Sequence, residues 1–271
     1  MKLQADTLLP PNQTAFARQV FEAANGAPVI LVLINGGAVS IDELIAPAAA
    51  IVESFSPGQQ GPVALGQLLL GAENAQFGWG KMPFTVYPAN YTKTINLTSM
   101  SYTDPPGRSY RYYVGNPLFR FGEGLSYATF STTDCKASGE VDGALTATQD
   151  SRYNFSCTLT NTGKHAGTEV LQVYAAPSSI LQAQLVAKHP VPTKQLVGFD
   201  RVHLAPGAST QVAFSVPAKR LSLTNADGDY MLYAGAYIMT FSTGAMASNP
   251  DQTVRVNVAT ELIWRNIHPA P

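Results

Sequence analysis

The sequence predicts an α/β layered domain followed by an all-β sandwich, and three features of its patterning predict it. Before about residue 126, short apolar runs without alternation are separated by stretches of helical periodicity, the pattern of a parallel sheet with helical cover. After it the period switches to two, with apolar and polar residues alternating between turns rich in Gly, Pro and Asn, as in antiparallel sheets packed face to face. At 271 residues, 45% of them hydrophobic and 13% charged, the chain is long and apolar enough to bury two such cores.

Between Pro10 and Asn25, Phe16, Val20, Ala23 and Ala24 recur at helical spacing. Pro11 suits the first turn of that helix and Gly26 its end. Pro28 then opens Val29-Ile30-Leu31-Val32-Leu33-Ile34, which reads as a strand covered on both faces, and Asn35-Gly36-Gly37 breaks it. Ala48 to Phe55 reads as a second strand, Ser56-Pro57-Gly58 as a turn, and Pro62 to Leu70 as a helix stopped by Gly71. In the later half, Tyr153, Phe155, Cys157 and Leu159 alternate with polar residues, as do Val212, Phe214 and Val216, then Val254, Val256 and Val258. Turn clusters at Asn161-Thr162-Gly163, Ala205-Pro206-Gly207 and Asn225-Ala226-Asp227-Gly228 separate these strands, giving a sandwich of roughly seven strands.

The net charge of −1 gives no polyanion-binding surface, so no nucleic-acid partner is expected. No apolar run approaches the ~20 residues that cross a bilayer, and Met1-Lys2-Leu3-Gln4-Ala5-Asp6 lacks the apolar stretch of a signal peptide. The expectation is no membrane partner and no export signal in the chain as given. Four N-glycosylation sequons, at Asn12, Asn90, Asn96 and Asn154, would suit a secreted eukaryotic protein. The only cysteines, Cys135 and Cys157, either form one disulfide across neighbouring strands in an oxidising compartment or stay as two buried thiols.

Between the two halves lies Pro105-Pro106-Gly107-Arg108-Ser109-Tyr110-Arg111-Tyr112-Tyr113, followed by Phe121-Gly122-Glu123-Gly124-Leu125-Ser126-Tyr127. Proline and glycine fix its turns while closely spaced aromatics bury, so it reads as an ordered connector. The division expected is an α/β sandwich over 1–88, the connector over 89–125 and the β-sandwich over 126–271. Arg108, Tyr110, Arg111 and Tyr112 either pin the domains together or contact sugar by stacking and hydrogen bonding.

These residues resemble the segment joining the last two domains of family 3 glycoside hydrolases, the β-xylosidase, α-arabinofuranosidase and β-glucosidase enzymes. Leu9-Pro10-Pro11-Asn12-Gln13 is similar to the family's LPGNQ, Pro28 to Gly37 to its PVVLVLxSGG, and Ser56 to Gly61 to its YPGQxG turn. Met82-Pro83-Phe84-Thr85-Val86-Tyr87-Pro88 resembles LPxTWYP, and Lys194 to Val202 the KxLxGFxRV of the fibronectin type III-like domain. Two positions depart from the pattern: Phe55-Ser56, where an aromatic directly precedes Pro-Gly, and Val86, where Trp is common. The resemblance implies a fibronectin type III-like sandwich, a plant cell-wall oligosaccharide as substrate of the intact enzyme, and an extracellular location.

It also implies a gap in the chemistry. Retaining hydrolysis needs two carboxyl groups about 5 Å apart. The family's nucleophile lies on a (β/α)8 barrel of around 250 residues, whereas 27 residues precede Pro28. Its acid/base glutamate lies just upstream of the segment that Gln4-Ala5-Asp6 resembles. Neither carboxylate carries over, so the chain alone is expected to be inactive, with no catalytic, metal or cofactor residue. A separate barrel subunit or self-association would then cover the surface left open.

Substitutes within the chain read poorly. Asp42 and Glu43 are neighbours that point apart and suit a solvated face or a helix start near Ser40. Glu53 reads as a strand-rim residue and Glu123 as a surface one. Gly124-Leu125-Ser126-Tyr127-Ala128 lacks the strand-before, helix-after context of a nucleophile elbow. His165, His189, His203 and His268 are too scattered for metal ligands, and Gly36-Gly37 lacks phosphate-loop spacing. The rival readings are a non-catalytic carbohydrate-binding or adhesion protein and an independent enzyme using Glu53 or Glu22.

Overall fold

The computed structural model describes residues 6–72, 78–138, 147–244 and 249–265. His268 and the Gln4-Ala5 pair lie outside them. The described chain divides into two units, one gathering residues 6–72, 82–109 and 113–121, the other residues 78–81, 110–112 and those from 122 on. The residues of the expected connector are thus shared between the units, and the chain crosses from one to the other several times.

In the first unit, α1 (Pro11–Ala23) has proline in its first turn and stops where Asn25 and Gly26 turn to positive φ, as the sequence suggested. Strands β1 (Ile30–Leu33) and β2 (Ala50–Glu53) pair in parallel, Ile30 opposite Ala50 and Leu33 opposite Glu53. Helix α2 (Gly61–Leu69) follows the Pro57-Gly58 turn, where Gly58 has φ +67°. The core is small: Leu33, Ile41 and Leu44 are buried, with Leu9, Ala17, Phe21, Leu31, Ile51 and Phe119 packed around them.

Strand β1 is not covered on both faces as its apolar run predicts, since Ile30 is exposed and only Leu33 is buried. Two parallel strands alone cannot shield both faces of a sheet, and helix α1 supplies inward side chains, Ala17 and Phe21, to one cluster only. The two positions that depart from the family pattern are accommodated locally. Phe55, at φ +52°, meets the Phe84 ring edge-on at 5.6 Å, and Val86 is buried where it forms an isolated antiparallel bridge with Phe119.

The short helix α3 (Tyr91–Thr94) leads to the loop before α4 (Ser109–Tyr112). Tyr87 stacks on Tyr91 at 3.9 Å, and the Tyr113 ring meets both edge-on. Tyr91 donates its hydroxyl to the Gly107 carbonyl at 2.9 Å, and the Ser109 N–H donates to the Tyr87 hydroxyl at 2.6 Å. Burial and the neighbouring tyrosines push the Tyr91 hydroxyl pKa up.

The second unit is the sandwich. One sheet runs β3-β4-β7, from β3 (Phe130–Ser138), β4 (Arg152–Asn161) and β7 (Ser209–Pro217). The other comprises β5 (Gly167–Pro177), β6 (Gln195–Leu204), β10 (Gly235–Ser242) and β11 (Gln252–Val258), in the order β11-β10-β5-β6. All pairings in both are antiparallel. A small third sheet joins β8 (Leu223–Thr224), β9 (Tyr230–Leu232) and β12 (Leu262–Trp264), and α5 (Ser179–Leu185) is capped by the Ser178 hydroxyl.

The alternating residues point inward as the period of two requires. Tyr153, Phe155, Cys157 and Leu159 of β4 are buried beside Val212, Phe214 and Val216 of β7, and Leu171, Val173, Met239, Phe241 and Val256 close the core from the other sheet. Each such fully buried aliphatic or aromatic side chain contributes about 1.5–3 kcal/mol. Cys135 of β3 and Cys157 of β4 are bridged, their Cα atoms 4.1 Å apart, beside the bulge between Thr133 and Lys136.

Candidate functional site

The sequence singles out no catalytic residue, but the fold assembles an open cavity of about 520 Å³ in the first unit. An isolated parallel bridge between Leu8 and Ser40 builds it. The Ser40 N–H donates to the Thr7 carbonyl at 2.8 Å, and the hydroxyls of Thr7 and Ser40 meet at 2.6 Å. This contact carries Asp6 to the same cavity as Asp42, which opens a short 3₁₀ turn (Asp42–Leu44). Leu8, Pro88, Ala89, Asn90, Lys93 and Asn116 complete the lining.

Both aspartates accept from backbone groups. Asp42 takes the Ala89 N–H on both oxygens at 3.2 Å, and Asp6 takes the Leu8 N–H at 3.1 Å. Such carboxylates tie loops together while leaving lone pairs free for a ligand. With the Lys93 ammonium and the Asn90 and Asn116 amides beside them, the lining carries both hydrogen-bond donors and acceptors. No motif in the sequence points to Asp6, whereas Asp42, expected on a solvated face or at a helix start, is exposed and opens the 3₁₀ turn.

The other carboxylates are accounted for one by one. Glu43 pairs with Arg18 at the surface. Glu53 accepts from the Asn35 side-chain amide and from the Phe55 N–H, both at 3.1 Å, and so fastens the loops that leave β1 and β2. Glu22 is exposed on α1, and Glu123 is partly exposed. In the sandwich, Glu169 is buried and ion-paired to Lys81 at 2.7 Å, and Lys81 also donates to the Gly124 carbonyl at 2.8 Å. Burial raises the Glu169 carboxyl pKa, with Lys81 pulling the other way.

The Ser126 hydroxyl accepts from the Ala128 N–H at 3.2 Å, and strand β3 follows, so no nucleophile elbow forms. The buried His189 ring lies 2.8 Å from the Tyr233 hydroxyl and 3.0 Å from the Pro190 carbonyl. His203 lies 3.3 Å from the Thr168 hydroxyl, and His165 is exposed. Among the described residues no three His, Cys, Asp or Glu side chains converge as metal ligands.

The aromatic connector residues divide. Arg108 donates to the Asn96 carbonyl at 2.6 Å within the first unit. In the second, the Tyr110 hydroxyl accepts from the Leu196 N–H at 3.1 Å and Arg111 donates to Gln195 at 3.2 Å. The Arg111 carbonyl takes the Thr193 N–H at 2.6 Å, and its guanidinium lies 5.7 Å from the Tyr112 ring centre. These partners are backbone groups and a β-strand end, and they fix the connector's path.

Comparison with known proteins places both halves. The glycosyl hydrolase family 3 C-terminal domain matches residues 4–127, and a fibronectin type III-like domain matches residues 169–244. An exo-1,4-β-xylosidase of Aspergillus awamori is 29% identical over 93% of this chain, and β-D-xylosidase 1 of Arabidopsis thaliana is 31% identical over 85%. The chain spans about a third of their length, 32% of each. Among solved structures, a family 3 exo-β-xylosidase bound to a xylobiose aziridine probe superposes with a TM-score of 0.77 at 24% identity, over 96% of this chain and 34% of that one. β-Glucosidase 3B of Thermotoga neapolitana, bound to α-D-glucose, gives 0.77 at 22% identity, over 98% and 36%. The chain belongs to the C-terminal region of glycoside hydrolase family 3, joining the family's C-terminal domain to a fibronectin type III-like domain.

Proposed function

We propose that this region serves a retaining hydrolase of the β-xylosidase or β-glucosidase type, acting outside the cell on xylan-type oligosaccharides. In it the two domains brace the assembly and complete the pocket wall, while a barrel and the segment after it, carried elsewhere, supply the attacking carboxylate and the acid/base glutamate. The observation that carries the reading is the match of both halves, in order, to one third of xylosidases. Side chains left at the surface of the first unit support a covering partner. Phe16 and Val20 lie one turn apart on α1 and are 67% and 36% exposed, and Leu70, just past α2, is 88% exposed. On the sandwich side, Tyr110 and Arg111 hold the connector's path.

The test is turnover of p-nitrophenyl β-xyloside and β-glucoside by the chain alone and by the chain co-expressed with the barrel of a xylosidase relative extended through its acid/base glutamate. Turnover is expected only in the co-expressed sample, with the two polypeptides co-eluting. Turnover by the chain alone, abolished by Asp6→Asn or Asp42→Asn, would overturn the reading.

The cavity lined by Asp6, Asp42, Asn90, Lys93 and Asn116 favours a second reading, a carbohydrate-binding protein without catalysis. Xylobiose binding by calorimetry, lost in Asp42→Ala and unaccompanied by turnover in either sample, would favour it over the first.

A further inference from the structure

We propose that Asn96 is an N-glycan acceptor whose glycan shields the apolar loop on which it stands. The sequence offers four sequons of equal standing, and the fold separates them. Asn12 lies in the first turn of α1, Asn154 lies within β4 with partners on both sides, and Asn90 lines the cavity beside Lys93. All four asparagines are exposed, but only at Asn96 is the hydroxyl residue, Thr98, exposed as well, with both residues in the loop between α3 and α4, the surface setting that a used sequon requires. Thr98 donates both its hydroxyl, at 2.8 Å, and its N–H, at 3.1 Å, to the Asn96 side-chain oxygen. That turn occupies the oxygen and leaves the amide nitrogen for transfer.

A second observation gives the glycan a purpose. The same loop exposes Leu97 (68%), Met100 (90%) and Tyr102, apolar surface that water solvates poorly. The bridged Cys135 and Cys157 belong to the oxidising compartment in which glycans are added. In the transfer, Asn96 Nδ2 forms a bond to the anomeric carbon of a lipid-diphosphate-linked oligosaccharide and loses one proton. The bond from that carbon to the diphosphate oxygen breaks, and the lipid diphosphate leaves with its electron pair. This inference does not rest on the hydrolase reading.

The experiment secretes the full chain from a eukaryotic host behind an added leader and maps glycopeptides by mass spectrometry. Glycan is expected at Asn96, lost in Asn96→Gln and Thr98→Ala and kept in Thr98→Ser. Asn96→Gln should also raise dye binding and light scattering, and adding Leu97→Ser with Met100→Ser should return both to the parent level. An unmodified Asn96 in the secreted, disulfide-bonded chain overturns the site. An Asn96→Gln protein that associates no more than the parent overturns the shielding.

Discussion

Replacing Lys81 by Met removes the ammonium from a pair whose side chains are only 9% and 5% exposed. Leaving the Glu169 carboxylate buried and unpaired costs about 3–5 kcal/mol. For a unit of this size, about 2–4 °C per kcal/mol converts that to a fall in Tm of about 6–20 °C. The pH dependence carries the sharper test. Because burial raises the folded-state pKa of Glu169 above its ordinary 4.5, the stability tied to its protonated form is full below that value. It is lost as pH rises through the folded-state pKa. Removing Lys81 raises that pKa further, so the mutant's deficit against the parent is greatest at pH 8 and shrinks toward pH 4.5. There about 1 kcal/mol remains, for the lost hydrogen bond to Gly124. Comparing mutant with parent at each pH cancels the titration of the other carboxylates. Urea unfolding followed by the fluorescence of Trp79, two residues from Lys81 and edge-on to Tyr127 at 6.0 Å, reads the transition. The double replacement Lys81→Met with Glu169→Leu should recover most of the loss, since a packed apolar pair equals or exceeds a buried ion pair. A Lys81→Met deficit that is the same at pH 8 and pH 4.5, or below about 1 kcal/mol throughout, would refute this account.

Two further substitutions test the sandwich. Gly244→Ala places a Cβ 1.9 Å from the Gly122 carbonyl oxygen at φ +71°; it should cost more than the roughly 1–2 kcal/mol of the left-handed backbone alone, read as a lower urea midpoint. Cys135→Ser with Cys157→Ser opens a loop with a separation of 22 residues, and the chain-entropy relation gives a loss of about 3 kcal/mol, checked by calorimetry against the parent with and without reductant.

The sandwich was legible because its signal is local. Tyr153 to Leu159 and Val212 to Val216 alternate in sequence and in burial alike, since successive side chains of a strand must face opposite ways. Helix α1 was legible in its ends, with Pro11 opening it and Gly26 closing it, but not in its faces. Phe16 and Val20 have the spacing of an inward stripe, yet Ala17 and Phe21 are the residues that pack on the core. Periodicity gives the existence of a face and not what covers it, which is also why β1 was read as buried on both sides.

The sequence by itself determined the order of the two architectures, their turns and the family, because these rest on periods of two and 3.6 and on short motifs read within a few residues. Only the tertiary structure decided which distant groups meet. Asp6 joins Asp42 through the bridge of Leu8 to Ser40, Lys81 finds Glu169, and one sequon of four stands with both its Asn and its Thr exposed. Such contacts depend on where whole elements dock, and no local spacing encodes the side chain that waits on the far side of a fold.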